Sequence, residues 1–429
     1  ALQNLQSHWA VSLIPEADRV RAAELVNERL VQQTVGGQIS FDFAADEADE
    51  ALLERMSLAY EIAAVEGLDA LSRTNGGDDS LRGQAAAASH NAFDIRRLAP
   101  IPENTEERIF HVLQLASIAY CGDRWSDLRR WFKENKNAII VPSLADTLWD
   151  RRLLYRLFEC WVRLFRKDGW NDLNSISAII SGLREDQQIH EKARLDNGST
   201  AKDRAIALRL IALYHWAKAT EILAEYMLQG QSGTIFGDLD KHFESGIKAA
   251  TAAGDVRLEM IMRWLHAASR IMVSNSLWWG ARAVNSRVSS FVKALTERKQ
   301  QAMYELLPPQ RSALLEQNLL DPAKTAIVID MPTSGGKTLL AQFRILQALN
   351  QFDTDGGWVA YVAPTRALTA QITRRLRRDF QSMGLRVEQL TGAIEINAFE
   401  GELLTDKEKP FDVLVATPEK LSLVIRNKR

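Results

Sequence analysis

The stretch Thr325–Leu340, TAIVIDMPTSGGKTLL, decides the fold of the C-terminal part of this 429-residue chain. Its residues predict a short apolar strand over Ala326–Ile329, then a loop of small residues, and then a helix that begins at Lys337–Thr338. A loop rich in glycine and serine lets successive backbone N–H groups converge on an anion, and the N-terminus of the next helix adds its positive dipole end. The stretch therefore predicts a loop that binds the phosphates of a nucleotide.

Two side chains at the start of that helix have defined roles in such a loop. Lys337 is placed to reach the β- and γ-phosphates, and the hydroxyl of Thr338 is placed to ligate Mg²⁺. The residues that supply the loop before them are Pro332, Thr333, Ser334, Gly335 and Gly336. One position is irregular, because Met331 stands where the general pattern has its first glycine. We expect its side chain to point into the domain.

The overall composition limits how the chain can bind a partner. It carries 53 lysines and arginines against 55 aspartates and glutamates, a formal net charge of −2. Any contact with nucleic acid must therefore come from local patches or backbone amides. Cys121 and Cys160 are too few for a disulfide framework or a metal cluster, which favours a reducing compartment. The sequence shows no long apolar run and no signal-peptide layout, so we expect a cytoplasmic protein that makes no membrane contact.

Residues 1–300 show helical periodicity and almost no strand signals, so we predict an all-α N-terminal region, as one domain or a pair. Asn104 followed by Glu107 predicts a helix start of the capping-box kind. The clearest helix is predicted over Leu148–Arg166. Its apolar stripe, with one residue in every four, consists of Trp149, Leu153, Leu157, Trp161 and Phe165.

The opposite face of that helix carries four arginines, which allow two interpretations. They are Arg152, Arg156, Arg163 and Arg166. Arginines with this spacing could follow a phosphate backbone. The alternative, which we favour, is a solvated face on which the arginine stems cover apolar surface.

After about residue 300 the pattern changes to strands that alternate with helices. The predicted strands are Ala326–Ile329, Val359–Val362, Arg386–Leu390 and Asp412–Ala416. Predicted helices lie between the first three of them, over residues 338–350 and 367–382. Such alternation predicts a parallel sheet with crossover helices, which binds its ligands at the carboxyl ends of the strands. Residues 301–429 are therefore predicted to form an α/β domain.

A small polar motif follows each of the later strands. The motifs are Pro364, Thr365 and Arg366 in APTRAL, then Thr391 and Gly392, and then Thr417 and Pro418 in ATPEKL. Upstream of the phosphate loop, Gln310 in LPPQ could present a bidentate amide to the edge of an adenine. Taken in this order with the PTS-x-GKT loop, these motifs resemble the superfamily-two (DEAD/DExH-box) helicases, and most of all their Ski-like branch. The resemblance covers about residues 305–425.

The resemblance implies a partial RecA-like domain with defined sites. Its loop from Pro332 to Thr338 would hold ATP and Mg²⁺, with Gln310 on the adenine and Lys337 and Thr338 as catalytic residues. The motifs at Pro364–Arg366, Thr391–Gly392 and Thr417–Pro418 would lie along a groove that follows the phosphates of DNA or RNA. Hydroxyls, backbone amides and helix N-termini can hold a strand in this way without reading its bases.

The tetrapeptide Asp46–Asp49 spells DEAD, but it leads into a helical pattern far upstream of the loop, and we interpret it as coincidence. The acidic strand of a helicase and its arginine fingers, which phosphoryl transfer needs, would follow Arg429. We therefore expect these residues to be part of a longer ATP-hydrolysing helicase or translocase, and to hydrolyse ATP poorly without the rest.

In this interpretation the helical region would dock a protein partner or regulate access. The arrangement resembles bacterial genome-defence helicases. One alternative is a nucleotide-switched interaction scaffold, and a weaker one is a nucleotide kinase or another P-loop enzyme.

Overall fold

We describe the fold from a computed structural model of the chain. The structure describes residues 8–35, 47–73, 79–145, 147–195, 201–231, 233–281, 285–299, 302–332, 335–390 and 411–427. The chain divides into two compact units. The first comprises Ala1–Met227 and Gln231–Val273, and the second comprises Leu228–Gly230 and Ser274–Arg429.

All regular secondary structure in the described residues of the first unit is helical, as predicted. Its helices are α1 (Trp9–Ser12), α2 (Glu16–Val35), α3 (Glu47–Arg73), α4 (Asp79–Arg96), α5 (Thr105–Cys121), α6 (Trp125–Glu134), α7 (Trp149–Arg166), α8 (Trp170–Leu195), α9 (Ala201–Gln229), α10 (Ile235–Ala253) and α11 (Val256–Asn275), the last residues of α9 and α11 belonging to the second unit. A short 3₁₀ helix, Lys136–Ile139, follows α6. In the part of the chain that the structure describes, no helix is long and apolar enough to cross a membrane.

The predicted helix start at Asn104 is confirmed. The side-chain oxygen of Asn104 accepts hydrogen bonds from the backbone N–H groups of Glu106, at 2.9 Å, and Glu107, at 3.2 Å. These bonds satisfy two of the donors that the first turn of a helix leaves without an intrahelical acceptor. The Glu107 carboxylate pairs instead with Arg257, at 3.2 Å. The first three residues of α3 are part of the DEAD tetrapeptide, and Asp49 pairs there with Arg21.

The predicted apolar stripe of α7 lies in the core of the first unit, where Leu157 and Trp161 are fully buried. Each arginine of its other face lies near a carboxylate. Arg156 and Arg163 lie 2.8 and 2.7 Å from Glu159. Arg166 lies 2.7 Å from Asp172, and Arg152 lies 3.9 Å from Asp186. The carboxylates compensate the positive charge of this face. The structure therefore favours a paired, part-exposed surface over a phosphate-binding track.

The second unit combines helices with a small parallel sheet, which confirms the predicted α/β class. Its elements are α12 (Leu277–Gly280), α13 (Ser286–Thr296), α14 (Pro308–Arg311), α15 (Lys337–Gln351), β1 (Val359–Val362), α16 (Arg366–Phe380), β2 (Val387–Gln389), β3 (Val413–Ala416) and α17 (Pro418–Asn427). The strand order is β1–β3–β2, and β3 pairs in parallel with both neighbours. Residues 312–316 form one π-helical turn, and Gln381–Met383 form a 3₁₀ turn.

Helix α13 belongs to the core of this second unit, although its sequence lies within residues 1–300. Its Phe291 is fully buried and packs edge-on against Phe343 of α15, with ring centroids 5.6 Å apart. The same ring packs against Phe380 of α16, at 5.5 Å. One aromatic side chain thus joins three helices, and such pairs favour the edge-on geometry that is seen here.

The predicted strand over Ala326–Ile329 is wrong. Ile327 and Ile329 pack against the core, whereas Val328 between them is 95% exposed, so burial alternates as in a strand. However, no strand among the described residues pairs with this segment. A strand is defined by the hydrogen bonds that a neighbour supplies, and an apolar run alone does not provide them.

Candidate nucleotide and nucleic-acid site

Helix α15 begins at Lys337, as predicted, and Gly336 is its N-cap. The backbone of Gly336 is left-handed, with φ +77°, a conformation that glycine adopts without a steric penalty. Its carbonyl accepts from the N–H of Leu339, at 3.0 Å, and the N–H of Gly335 donates to the carbonyl of Pro332, at 2.9 Å. The loop therefore turns sharply into the helix at Gly336.

The groups at this helix start suit a phosphate. The Lys337 side chain is exposed, and its ammonium has no hydrogen-bond or ion-pair partner among the described residues. Thr338 is half-buried beside it. The first N–H groups of a helix have no acceptor of their own and favour an anion. An exposed cation and a helix N-terminus thus meet at one place, which fits the nucleotide phosphates that the sequence predicts.

The side chain of Met331 packs in the core next to Gly335 of this loop. Its side chain is 9% exposed and belongs to the apolar core of the second unit, as expected from the sequence. Its Sδ lies 3.6 Å from the position that a Cβ on Gly335 would occupy. The irregular methionine therefore fills the space beneath the glycines with apolar volume.

Backbone groups of two separate segments fix the side-chain amide of Gln310. It is 2% exposed, its Oε1 accepts from the N–H of Leu307, at 2.9 Å, and its Nε2 donates to the carbonyl of Gly336, at 3.3 Å. Pro308 and Pro309 begin the short helix α14 that presents it. An amide has further hydrogen-bond capacity on each of these atoms. Gln310 thus positions the loop, and its contact with adenine stays a prediction.

Four of the predicted site residues lie outside the described part of the chain. They are Thr333 and Ser334 of the phosphate loop, and Thr391 and Gly392 after the strand β2. Their predicted contacts with phosphates stay predictions.

The ends of β1 and β3 lie side by side. Val362 pairs with Ala416 in register, and the N–H of Ala363 donates to the carbonyl of Ala416, at 3.0 Å. A helix begins shortly after each strand, α16 with Thr365 as its N-cap and α17 after Thr417. Because the strands are parallel and paired at their ends, both helix N-termini lie at one edge of the sheet.

Both threonines act as helix caps. The Oγ1 of Thr365 accepts from the N–H of Leu368, at 3.3 Å, and the Oγ1 of Thr417 accepts from the N–H of Lys420, at 3.4 Å. The sequence motifs predict that these hydroxyls contact phosphates, and their capping role was not predicted, although a threonine before a helical pattern is a recognised capping signal. The caps leave other N–H groups of each first turn available to an anion.

The remaining predicted groups at this edge are exposed: Pro364, Arg366 and Pro418. The Arg366 guanidinium has no ion-pair partner in the described residues. Arginines further along α16 are largely paired, with Arg375 and Arg378 near Asp379 and Arg377 near Glu388. The edge therefore offers two helix N-termini and one uncompensated cation, which can hold a phosphate backbone without reading bases.

Comparison with known proteins agrees with this geometry. Residues 300–429 match the DEAD/DEAH box helicase family. The chain is 34% identical over 102 residues to Hachiman protein HamB of Bacillus cereus, which covers 24% of this chain and 9% of HamB. It is 34% identical over 107 residues to activating signal cointegrator 1 complex subunit 3 of Danio rerio, covering 23% and 6%. It is 31% identical over 129 residues to ATP-dependent DNA helicase Hel308 of Pyrococcus horikoshii, covering 30% and 16%.

The matched segment thus spans only a small share of each relative. It nevertheless contains every element of the site: the phosphate loop, Gln310 and the two capped helices at the paired strand ends. Residues 300–429 therefore match the DEAD/DEAH box helicase family and are similar to superfamily-two helicases of the Ski-like branch.

Proposed function

We propose that the protein is an ATP-hydrolysing helicase or translocase that moves along DNA or RNA. One observation carries the proposal: α16 and α17 begin beside each other, after the hydrogen-bonded ends of β1 and β3. Two adjacent helix N-termini with an exposed Arg366 form a site for consecutive phosphates. Such a site holds a strand independently of its sequence, as a motor that steps along it requires.

Nucleotide binding is assigned to the phosphate loop. Lys337 would contact the β- and γ-phosphates, the Thr338 hydroxyl would ligate Mg²⁺, and the loop from Pro332 to Gly336 would supply backbone N–H groups. Bound ATP with Mg²⁺ would provide the phosphoryl group and neutralise part of its charge. The left-handed Gly336 and the exposed, unpaired Lys337 among the described residues support this assignment. Gln310 would contact the adenine with the hydrogen-bond capacity that its backbone partners leave.

The helical first unit would dock a protein partner or control access to the motor. We extend the proposal to a role in bacterial antiviral defence in the cytoplasm. Its support is the fusion of a large helical region to a Ski-like helicase segment, together with the similarity to Hachiman protein HamB.

The test is ATP hydrolysis by the native-length polypeptide, measured without nucleic acid and with single-stranded or duplex DNA or RNA. We expect one of these to stimulate hydrolysis, and Lys337→Ala to abolish the stimulated rate because the phosphates lose their cation. Lys293→Ala is a matched control, since this exposed lysine of α13 forms a surface pair with Glu297, at 3.8 Å, and lies outside the candidate site. Stimulated hydrolysis that survives Lys337→Ala would refute the motor. Nucleotide binding without hydrolysis under any condition would favour the nucleotide-switched scaffold.

A further inference from the structure

Asp379 is a buried carboxylate near the C-terminal end of α16. Its side chain is 2% exposed, and its Oδ2 accepts a hydrogen bond from Nε2 of Gln342 on α15, at 2.8 Å. Three guanidinium groups compensate its charge, from Arg298 at 2.9 Å, Arg378 at 3.0 Å and Arg375 at 3.7 Å. A buried carboxylate is tolerated only when it is paired and hydrogen-bonded in this way. The amide–carboxylate bond therefore lies in a fully compensated environment.

The two ends of this bond lie on the two helices that form the candidate sites. Gln342 lies four residues after Thr338, on the same face of α15 and one turn further on. Asp379 lies thirteen residues after Arg366, which places it about 20 Å along α16 from the end that faces nucleic acid. Helix α16 is thus attached at its C-terminal end to the first turns of the phosphate-loop helix, and its N-terminal end is exposed.

The polar bond differs from the apolar contacts around it. Phe380, the neighbour of Asp379, packs against Phe291 of α13, and Phe291 packs in turn against Phe343 of α15. Apolar contacts are not directional and tolerate small sliding movements, whereas a hydrogen bond to a charged group fixes distance and angle. The Gln342–Asp379 bond is therefore a directional contact that fixes the distance and angle between α16 and the start of α15.

We propose that Asp379 is a positioning residue that acts through Gln342 and couples nucleic-acid binding at the start of α16 to the placement of Lys337 and Thr338. The proposal rests on the motor function proposed above. A strand that binds at Thr365 and Arg366 shifts α16 as a rigid rod. The bond at its other end transmits that shift to the turn of α15 that follows Thr338. Hydrolysis then responds to nucleic acid, whereas binding of the nucleotide itself does not depend on the bond.

The chain offers a matched control on the same helix. Gln347 is also buried, at 7% exposure, and its Oε1 accepts from Nδ2 of Asn285, at 2.8 Å. That bond joins α15 to Asn285, the residue that caps α13, and not to α16. Gln342→Met and Gln347→Met remove the same amide from the same helix at similar burial. Only the first of them removes the hydrogen bond to Asp379 on α16.

The experiment measures ATP hydrolysis by the native-length protein with and without the nucleic acid that stimulates it, together with the affinity for a fluorescent ATP analogue. For Gln342→Met we expect the stimulation, the ratio of kcat with and without nucleic acid, to fall by about tenfold, within the usual range of coupling between two sites. Nucleotide affinity should stay at the wild-type value. Gln347→Met should keep the wild-type stimulation.

A second variant, at the other end of the bond, distinguishes loss of coupling from loss of folding. Asp379→Asn retains the size of the side chain, and thermal unfolding shows whether it folds. If both residues act through one bond, the double variant Asp379→Asn/Gln342→Met should lose no more stimulation than the stronger single variant. Wild-type stimulation in Gln342→Met, or an equal loss in Gln347→Met, would overturn the coupling and leave the motor function intact. A wild-type protein that no nucleic acid stimulates would overturn both.

Discussion

The side-chain amide of Gln310 donates a hydrogen bond to the carbonyl oxygen of Gly336, with Nε2 3.3 Å from that oxygen. The backbone of Gly336 is left-handed, and a Cβ at this position would lie 2.1 Å from the same Nε2. No carbon atom fits at that distance without displacing the amide. Position 336 thus requires glycine for two separate reasons, its φ and its contact with Gln310.

We predict that Gly336→Ala lowers the affinity for ATP by about tenfold or more, because the start of α15 and Gln310 must both move. The free energy of unfolding should fall by about 1–3 kcal/mol, the usual cost of a strained backbone position. Titration with a fluorescent ATP analogue and chemical denaturation measure the two effects.

Gly384→Ala is the control for this prediction. Gly384 has a similar φ, +67°, but nothing lies within 4 Å of the position that its Cβ would take. The substitution should cost about 1 kcal/mol of stability through backbone strain alone, and it should leave ATP affinity unchanged. Equal losses of affinity in both variants would contradict a specific role for the contact with Gln310.

The sequence predicted those parts of the fold that local patterns determine. The start of α15 at Lys337, the later strands and the cap at Asn104 depend on residues within a few positions of each other. The strand predicted over Ala326–Ile329 failed, because an apolar run does not show whether a neighbouring strand will supply hydrogen bonds. Periodicity likewise predicted that α13 is helical, but it carries no information about which core the helix joins.

In the candidate site, too, the sequence predicted the local motifs but not the long-range contacts. The motifs located the groups at strand ends, since small polar residues after apolar strands are a local signal. The bond between Gln310 and Gly336 joins residues 26 positions apart, and the bond between Gln342 and Asp379 joins residues 37 apart. Such contacts arise only when the helices pack. The sequence therefore predicts which residues form the candidate site, and the structure shows how the described ones among them are held.

We predict that Arg366→Ala weakens nucleic-acid binding to a similar degree for all sequences. Arg366 begins α16, and its guanidinium is exposed and has no ion-pair partner in the described residues. A lost phosphate contact should lower the slope of log affinity against log salt concentration by about 1. Binding measured by fluorescence anisotropy at several salt concentrations gives this slope.

Arg374→Ala is the matched control for that measurement. Arg374 is exposed on the same helix, two turns further from the sheet edge, and its Nε contacts the carbonyl of Ala370, at 3.4 Å. The net charge of the two variants is the same, so a general electrostatic effect would change both slopes alike. We expect a reduced slope for Arg366→Ala only. A reduction that depends on the base sequence would instead indicate contact with bases.

We predict that Phe291→Ala destabilises the second unit by about 3–5 kcal/mol, the usual cost of removing a buried phenylalanine. Its ring joins α13 to both Phe343 and Phe380, so its loss leaves a cavity among three helices. Phe352→Ala is the control, since this ring at the end of α15 is 49% exposed and should cost far less. Chemical denaturation measures both. Equal small effects would show that α13 is not part of this core.

Burial determines the charge of His111 on α5 and makes the first unit sensitive to acid. The side chain is 8% exposed, and its Nε2 has no hydrogen-bond partner among the described residues. Desolvation, and to a smaller extent the charge of Arg96, lowers the pKa of His111 to about 4 from its ordinary value of 6.5. In the unfolded chain the same imidazole takes up a proton near pH 6.5. The unfolded state therefore binds more protons than the folded state between these two values.

The stability that this difference contributes is fully present above pH 6.5 and is lost as the pH falls towards 4. We predict a loss of up to about 3 kcal/mol across this window, since each pKa unit corresponds to about 1.4 kcal/mol. His111→Leu replaces the imidazole with an apolar side chain of similar size that does not titrate. The free energy of unfolding of this variant should therefore fall less over the same pH window than that of the wild type. The pKa values of His215 and His242 are also lowered by burial, and only the difference between wild type and variant isolates His111. Parallel curves of unfolding free energy against pH for the two proteins would show that His111 is not the group that titrates.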